Sequence, residues 1–139
     1  MSNTITGGCN CGRYTYTIPK PDGMNLCHCI DCRKWAGAMH SAHLFVKTAD
    51  ITQHAAASTP APRTHSMQGE SGNTITRAWC DECGCGLWIK PSTKPDMTCL
   101  KGGLFRPHEI PNPTMENWLR NKEPWETPAK GTQRTSDVQ

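Results

Sequence analysis

Eight of the nine cysteines in this chain fall in three short runs, and no other feature constrains its fold as tightly. Cys9 and Cys11 form C-x-C within GGCNCG, and Cys27, Cys29 and Cys32 form C-x-C-x-x-C within LCHCIDCRKWAG. Cys80, Cys83 and Cys85 form C-x-x-C-x-C within WCDECGCG, while Cys99 stands alone in MTCLK. A C-x-x-C turn lets two sulfurs converge on one tetrahedral metal, and a trailing glycine relaxes the backbone around them. C-x-C does the same where a strand ends, because residues i and i+2 face the same side.

Such clustering reads as metal ligation where thiols stay reduced and as disulfides where they do not. The N-terminal stretch MSNTITGGCNCG has no basic segment followed by an apolar run, so export is not expected and a cytoplasmic location is. No stretch approaches the roughly 18 apolar residues of a membrane span. The basic residues are scattered, with no run of five or more that would suggest a nucleic-acid arm. With 35% hydrophobic and 6% aromatic residues, a chain of 139 residues has a thin core. A metal staple suits such a domain.

GGCNCG and WCDECG each carry two thiols and a trailing glycine. Together Cys9, Cys11, Cys80 and Cys83 complete a four-thiolate, closed, structural zinc site that ties the first strand to a late hairpin. The triplet Cys27, Cys29 and Cys32 already has three ligands, and three protein ligands plus an exchangeable position is the pattern of a catalytic zinc. Spacing alone leaves open whether Cys85, Cys99, His28 or His40 fills the fourth place.

The segments between the clusters read as short strands. RYTYTI alternates Tyr14, Tyr16 and Ile18 against polar neighbours, SAHLFVK (41 to 47), NTITRAWC (73 to 80), GLWIK (86 to 90) and MTCLKGGLF are strand-like, and IDCRKWAG suits a short helix stopped by Gly37. Residues 54 to 73 read as a long loop or irregular hairpin, and 107 to 128 as a proline-interrupted segment with one helical turn at ENWLRN. The expectation is a mainly β chain with a single zinc-binding domain over 1–128 and a disordered tail over 129–139.

In this order and spacing, GGCNCG, CHCIDCRKWAG and WCDECGCGLW resemble the glutathione-dependent formaldehyde-activating enzyme and centromere protein V family, with a looser likeness through KGGLF and NWLRNKEPW. The resemblance implies a β-tent of small antiparallel sheets. It also implies that Cys9, Cys11, Cys80 and Cys83 hold a structural zinc, and that Cys27, Cys29 and Cys32 hold a catalytic one where a glutathione thiol acts. Two zinc ions per chain are therefore expected.

Around the triplet, Arg33 and Trp35 are candidates for substrate or glutathione contacts, since a cation can offset thiolate charge or receive a carboxylate. His40 is the candidate acid or base. His28, between two ligands, is expected to point away from the metal, and Trp118 and Trp125 to clamp the C-terminal segment onto the sheet. The function expected is that of a zinc-dependent carbon–sulfur lyase acting on small molecules, with no nucleic-acid or membrane partner and an oligomeric state the sequence leaves open. The alternatives are a zinc Lewis-acid enzyme acting on a larger metabolite without glutathione, and a non-catalytic binding module whose zincs are both structural.

Overall fold

The computed structural model describes residues 3–134. In chain order its elements are β1 (Thr4–Gly8), β2 (Thr15–Pro19), β3 (Met24–Cys27), α1 (Ile30–Ala36), β4 (Ser41–Lys47), β5 (Thr52–His54), β6 (Arg63–Gln68), β7 (Thr74–Trp79), β8 (Gly86–Pro91), β9 (Met97–Lys101), β10 (Pro113–Asn117) and β11 (Gln133–Arg134). Strands β1-β2-β5 form one sheet, and a second runs β11-β10-β3-β4-β9-β8-β7-β6. The protein is thus mainly β, built of short strands around a single short α-helix.

The two faces of the larger sheet carry different chemistry. Leu26, Leu44, Val46, Ala78 and Leu100 point to one face and pack with Ile5, Tyr14, Tyr16 and Ile18 of the small sheet, which makes the main apolar core. The residues alternating with them, Cys27, Ile75, Ile89 and Cys99, form a second cluster on the other face, together with Cys29 and Cys32 of the α1 region and Trp118. A register shift at Ala78/Trp79, where Ala78 pairs with Trp88 but Trp79 with Gly86, leaves Leu87 extra and turns it into the main core. That bulge re-aims the end of the β7–β8 hairpin, which carries Cys80, Cys83 and Cys85.

Three expectations from the sequence change here. Residues 63–68, within the stretch read as a long loop or irregular hairpin, form β6, paired with β7 along its whole length from Arg63↔Trp79 to Gln68↔Thr74. Every residue of β6 is exposed, so this edge strand is held by its ladder and carries no burial alternation for a sequence reading to detect. The proline-interrupted region contains β10, which runs parallel to β3 and offset by a bulge near Pro113. The tail begins with structure, since Gln133 and Arg134 pair with Met115 and Glu116; residues 135–139 lie outside the described residues. The helical turn expected at ENWLRN is a short 3₁₀ turn, Leu119–Asn121.

The two sheets meet closely at Gly7. A Cβ there would lie 2.7 Å from both the carbonyl carbon of Leu104 and the ring of Phe105, a contact that backbone cannot evade. Gly7→Ala is therefore expected to destabilise the fold by about 1–3 kcal/mol, as overpacking does. Gly103→Ala, at a position where nothing approaches within 4 Å, should be near neutral. Thermal melting of the two variants side by side checks the contrast, and equal melting temperatures would contradict it.

Candidate functional site

The first cysteine group joins the two sheets. Cys9 and Cys11 follow β1, Cys80 and Cys83 follow β7, and the four sulfurs lie within 4.8 Å of one another. Cys11 Sγ sits 3.7 Å from Cys9 Sγ and 3.6 Å from Cys80 Sγ. The trailing glycines Gly12 and Gly84 both adopt left-handed φ, at 77° and 75°, and their N–H groups donate to Cys9 O and Cys80 O to close the two turns. The backbone also turns a donor onto sulfur, from Tyr14 N to Cys9 Sγ at 3.4 Å. Four thiols and no carboxylate make a donor set suited to a tetrahedral soft or borderline cation.

The second group is the triplet. Cys27 ends β3 and Cys29 caps α1, its sulfur accepting from Cys32 N at 3.3 Å, with Cys32 one turn on. Gly37, in the left-handed region at φ 64°, ends the helix as the sequence suggests. These three sulfurs also lie within 4.8 Å of one another, and among the described residues no fourth ligand joins them. All are deeply buried, at 0%, 6% and 2% exposure. Hydrogen bonds from Cys27 and Cys29, helped by the guanidinium of Arg77, hold Cys32 well below the usual thiol range, while the same bonding pushes Cys27 up. The triplet is an anion-favouring pocket that fits a metal.

The groups around it come from far along the chain. Arg77 of β7 is 6% exposed and donates Nη2–H to Cys32 Sγ at 3.7 Å, yet its Nε and Nη1 have no partner. Lys101 of β9 donates to Ser41 Oγ, and Ser41 lies 2.8 Å from His43 Nε2. Because an ammonium only donates, the Ser41 oxygen accepts from Lys101 and its own proton is free to go to His43. Burial, with Lys101 close by, pushes His43 down to about 3, so it stays neutral; burial likewise lowers Lys101 to about 8. Strand register explains the grouping, since Cys27 pairs with Ser41, and His43 with both Asn25 and Lys101.

Two indoles close over this face. Trp35 carries Arg77 and Lys101 over its ring, at 5.8 and 4.4 Å, and lies against Gly86, where a Cβ would come within 2.9 Å of the indole. Trp118, 5% exposed, is held at a left-handed φ of 59°. That conformation costs about 1–2 kcal/mol, against roughly 4–6 kcal/mol from burying an indole. Burial wins, and the C-terminal segment is clamped onto the thiol face, whereas Trp125 is 72% exposed and stands away from it.

The other expected site residues are distributed differently. Arg33 is committed to the C-terminal segment, donating to Asn121 O at 2.7 Å and Glu123 Oε1 at 2.9 Å, so its fork is occupied. His40, expected beside the triplet, instead faces Glu126 at 3.7 Å and the His28 ring at 5.3 Å. The imidazole on the thiol face is His43. His28 points away from the triplet as expected. Cys85 accepts from Asn10 N at 3.4 Å beside the first group, and Cys99 is buried near the triplet without entering the 4.8 Å set. Arg77 was legible as an anomaly, a charged residue two positions from Ile75 on the same inward face of the strand; Lys101 and Ser41 left no such signal.

The solved structures include a likeness at the level of fold. A crystal structure of a Rhodobacter sphaeroides protein from a structural genomics programme matches with a TM-score of 0.54 and 16% identity, covering 78% of this chain and 99% of that one. No curated protein matches the chain. The family model described as glutathione-dependent formaldehyde-activating enzyme matches residues 4–121, a span that takes in all three cysteine clusters. On that match the chain belongs to the glutathione-dependent formaldehyde-activating enzyme family.

Proposed function

We propose that this protein is a zinc-dependent enzyme of carbon–sulfur lyase type, working in the cytoplasm on a thiol such as glutathione and a small electrophile. Cys9, Cys11, Cys80 and Cys83 would hold a structural zinc, and Cys27, Cys29 and Cys32 a second one with a free position. The observation that carries the reading is the triplet itself: three convergent buried thiols beside a buried guanidinium with two unpartnered donors. Family membership supports the same chemistry.

Bound there, zinc would supply a Lewis-acid position that lowers the pKa of an incoming thiol. The chain's own groups do the rest. Cys27, Cys29 and Cys32 hold the metal through bonds fixed by the β3 end and the α1 cap. The two free donors of Arg77 receive the carbonyl oxygen of an aldehyde or its equivalent and stabilise the negative charge that develops on it. As the carbon–sulfur bond forms, the thiol proton passes to that oxygen. Lys101, lowered to about 8 by burial, is placed to relay it and is oriented by Ser41 and His43. Trp35 and Trp118 keep water from the site. In the reverse direction the carbon–sulfur bond breaks and the proton returns to sulfur.

A second reading, a non-catalytic module with both metals structural, draws support from the burial of the triplet and from Cys99 lying in the same apolar cluster.

Two tests separate them. Structural zinc in small domains supplies on the order of 10 kcal/mol of apparent binding energy coupled to folding. Cys83→Ser should therefore unfold or severely destabilise the protein in denaturant titrations. Cys29→Ser should leave a cooperative fold that has lost one of two zinc equivalents by elemental analysis. Equal destabilisation by the two would favour the non-catalytic reading.

With Co²⁺ replacing zinc, added glutathione should convert three-sulfur into four-sulfur absorption and release a proton, in the wild type and equally in Cys85→Ser and Cys99→Ser. In turnover with a small aldehyde, Arg77→Met should lower kcat/KM by roughly tenfold or more, the loss of one charge-assisted contact to the carbonyl oxygen. A four-sulfur spectrum before any thiol is added, reduced by Cys99→Ser, would mean that the site is closed.

A further inference from the structure

The opposite face of the sheet, behind the β3–α1 turn, holds a second set of metal-ligating groups that the thiol chemistry does not use. His28, His40 and Glu126 each place a ligand atom within 4.8 Å of the others. His28 Nδ1 stands 3.9 Å, and His40 Nδ1 3.7 Å, from Glu126 Oε1. The other oxygen of Glu126 is anchored by the backbone N–H of Glu123 at 2.6 Å, which leaves Oε1 aimed at the two imidazoles.

The proton positions follow from the partners. Glu116 Oε1 lies 3.4 Å from His28 Nε2, and a carboxylate can only accept, so Nε2 carries the hydrogen. Nδ1 then presents a bare lone pair. It is buried and has no hydrogen-bond partner, on a residue 2% exposed. The lone pair of His28 Nδ1 thus converges with Glu126 Oε1 and a ring nitrogen of His40, three groups able to ligate one ion. Glu116 and Glu126 bring two carboxylates with side chains only 4% and 10% exposed, and Glu116 Oε2 is also unpartnered. Buried charges and unpaired acceptors are costly. A dication would offset both carboxylates and take up the unpartnered lone pair of His28 Nδ1.

We propose that His28, His40 and Glu126 bind a divalent first-row transition metal, at a site separate from both cysteine groups. Metal–nitrogen and metal–oxygen bonds near 2.1 Å put tetrahedral ligands about 3.3–3.5 Å apart, so the two nitrogen–oxygen gaps of 3.9 and 3.7 Å need close by only a few tenths of an ångström, with the nitrogen–nitrogen gap already under 4.8 Å. Glu116 orients the first ligand, as outer carboxylates commonly do for metal-bound histidines. The nitrogen and oxygen donors distinguish the site from the thiolate clusters in the metals it favours. Three ligands leave a position free, and it opens onto a cavity of about 310 Å³ lined by Leu26, Leu119, Lys122, Trp125 and Pro128. That cavity suits a small anionic or neutral donor completing the coordination, with the Lys122 ammonium at its wall.

The test uses the zinc-loaded protein and Co²⁺ as the probe. Zinc held on thiolates leaves only the nitrogen–oxygen site for added Co²⁺. One equivalent is expected to bind with micromolar or tighter affinity, giving ligand-field bands without new sulfur-to-cobalt absorption and shifting the imidazole proton resonances of His28 and His40. His40→Ala, at a side chain 42% exposed, and Glu126→Gln should each abolish this equivalent while circular dichroism stays unchanged. Glu116→Gln should weaken it about 10–100-fold. Absorption of sulfur-to-cobalt type alone would overturn the proposal, and it would show separately that the thiols do not retain zinc. A cobalt equivalent that survives both His40→Ala and Glu126→Gln, or one that saturates only in the millimolar range, would overturn it as well.

Discussion

The chemistry of the triplet and of the groups behind it depends on the two-residue alternation at the end of β3. Cys27, His28 and Cys29 follow one another in sequence, yet Cys27 and Cys29 enter the thiol cluster while His28 faces the cavity on the other side of the sheet. β3 lies inside the large sheet, hydrogen-bonded to β10 and β4, so its register is set from both sides. A slip of one residue would exchange the two faces and disperse both clusters at once. One short strand therefore divides sulfur chemistry from nitrogen and oxygen chemistry within a few ångströms of chain.

The thiol face is built around charge that an apolar interior would not tolerate alone. Three buried thiols, of which Cys32 is held below the usual thiol range while Cys27 and Cys29 are raised, are met by Arg77 and Lys101, both stacked on Trp35. Removing a cation from water is costly unless a partner of opposite sign is close. Here the partners are the sulfurs themselves, and the Lys101–Ser41–His43 chain satisfies most of the remaining polar atoms. Arg77 Nε and Nη1, like Trp118 Nε1 in the same cluster, stay unpartnered, and unsatisfied donors in a buried pocket suit an occupant.

The first cysteine group does something different. It joins the turn after β1 to the turn after β7, and so links the small sheet to the far end of the large one across a core of modest aromatic content. Cys9 and Cys80 are buried, Cys83 half-buried and Cys11 exposed, and the turns depend on Gly12 and Gly84 in left-handed conformation. This is the geometry of a staple, with no buried cation beside it. The contrast between the groups lies in their surroundings more than in their ligand count.

Local patterns were legible in the sequence wherever the signal was local. The bounds of β4, the stop of α1 at Gly37, and the partition of cysteines into four and three all follow from spacing, turn chemistry and alternation within a few residues. β6 was not legible, because an exposed edge strand has no buried face, and β10 was not, because parallel pairing with β3 has no turn to announce it. The same holds for the site. The sequence by itself determined which residues could ligate a metal, since thiol and imidazole chemistry is a property of the side chain. Only the tertiary structure decided that Arg77 and Lys101, and not Arg33, stand by the triplet, and that His40 belongs with His28 and Glu126. Those neighbours are set by strand order and register, and contacts between residues dozens of positions apart leave no periodicity in a single chain.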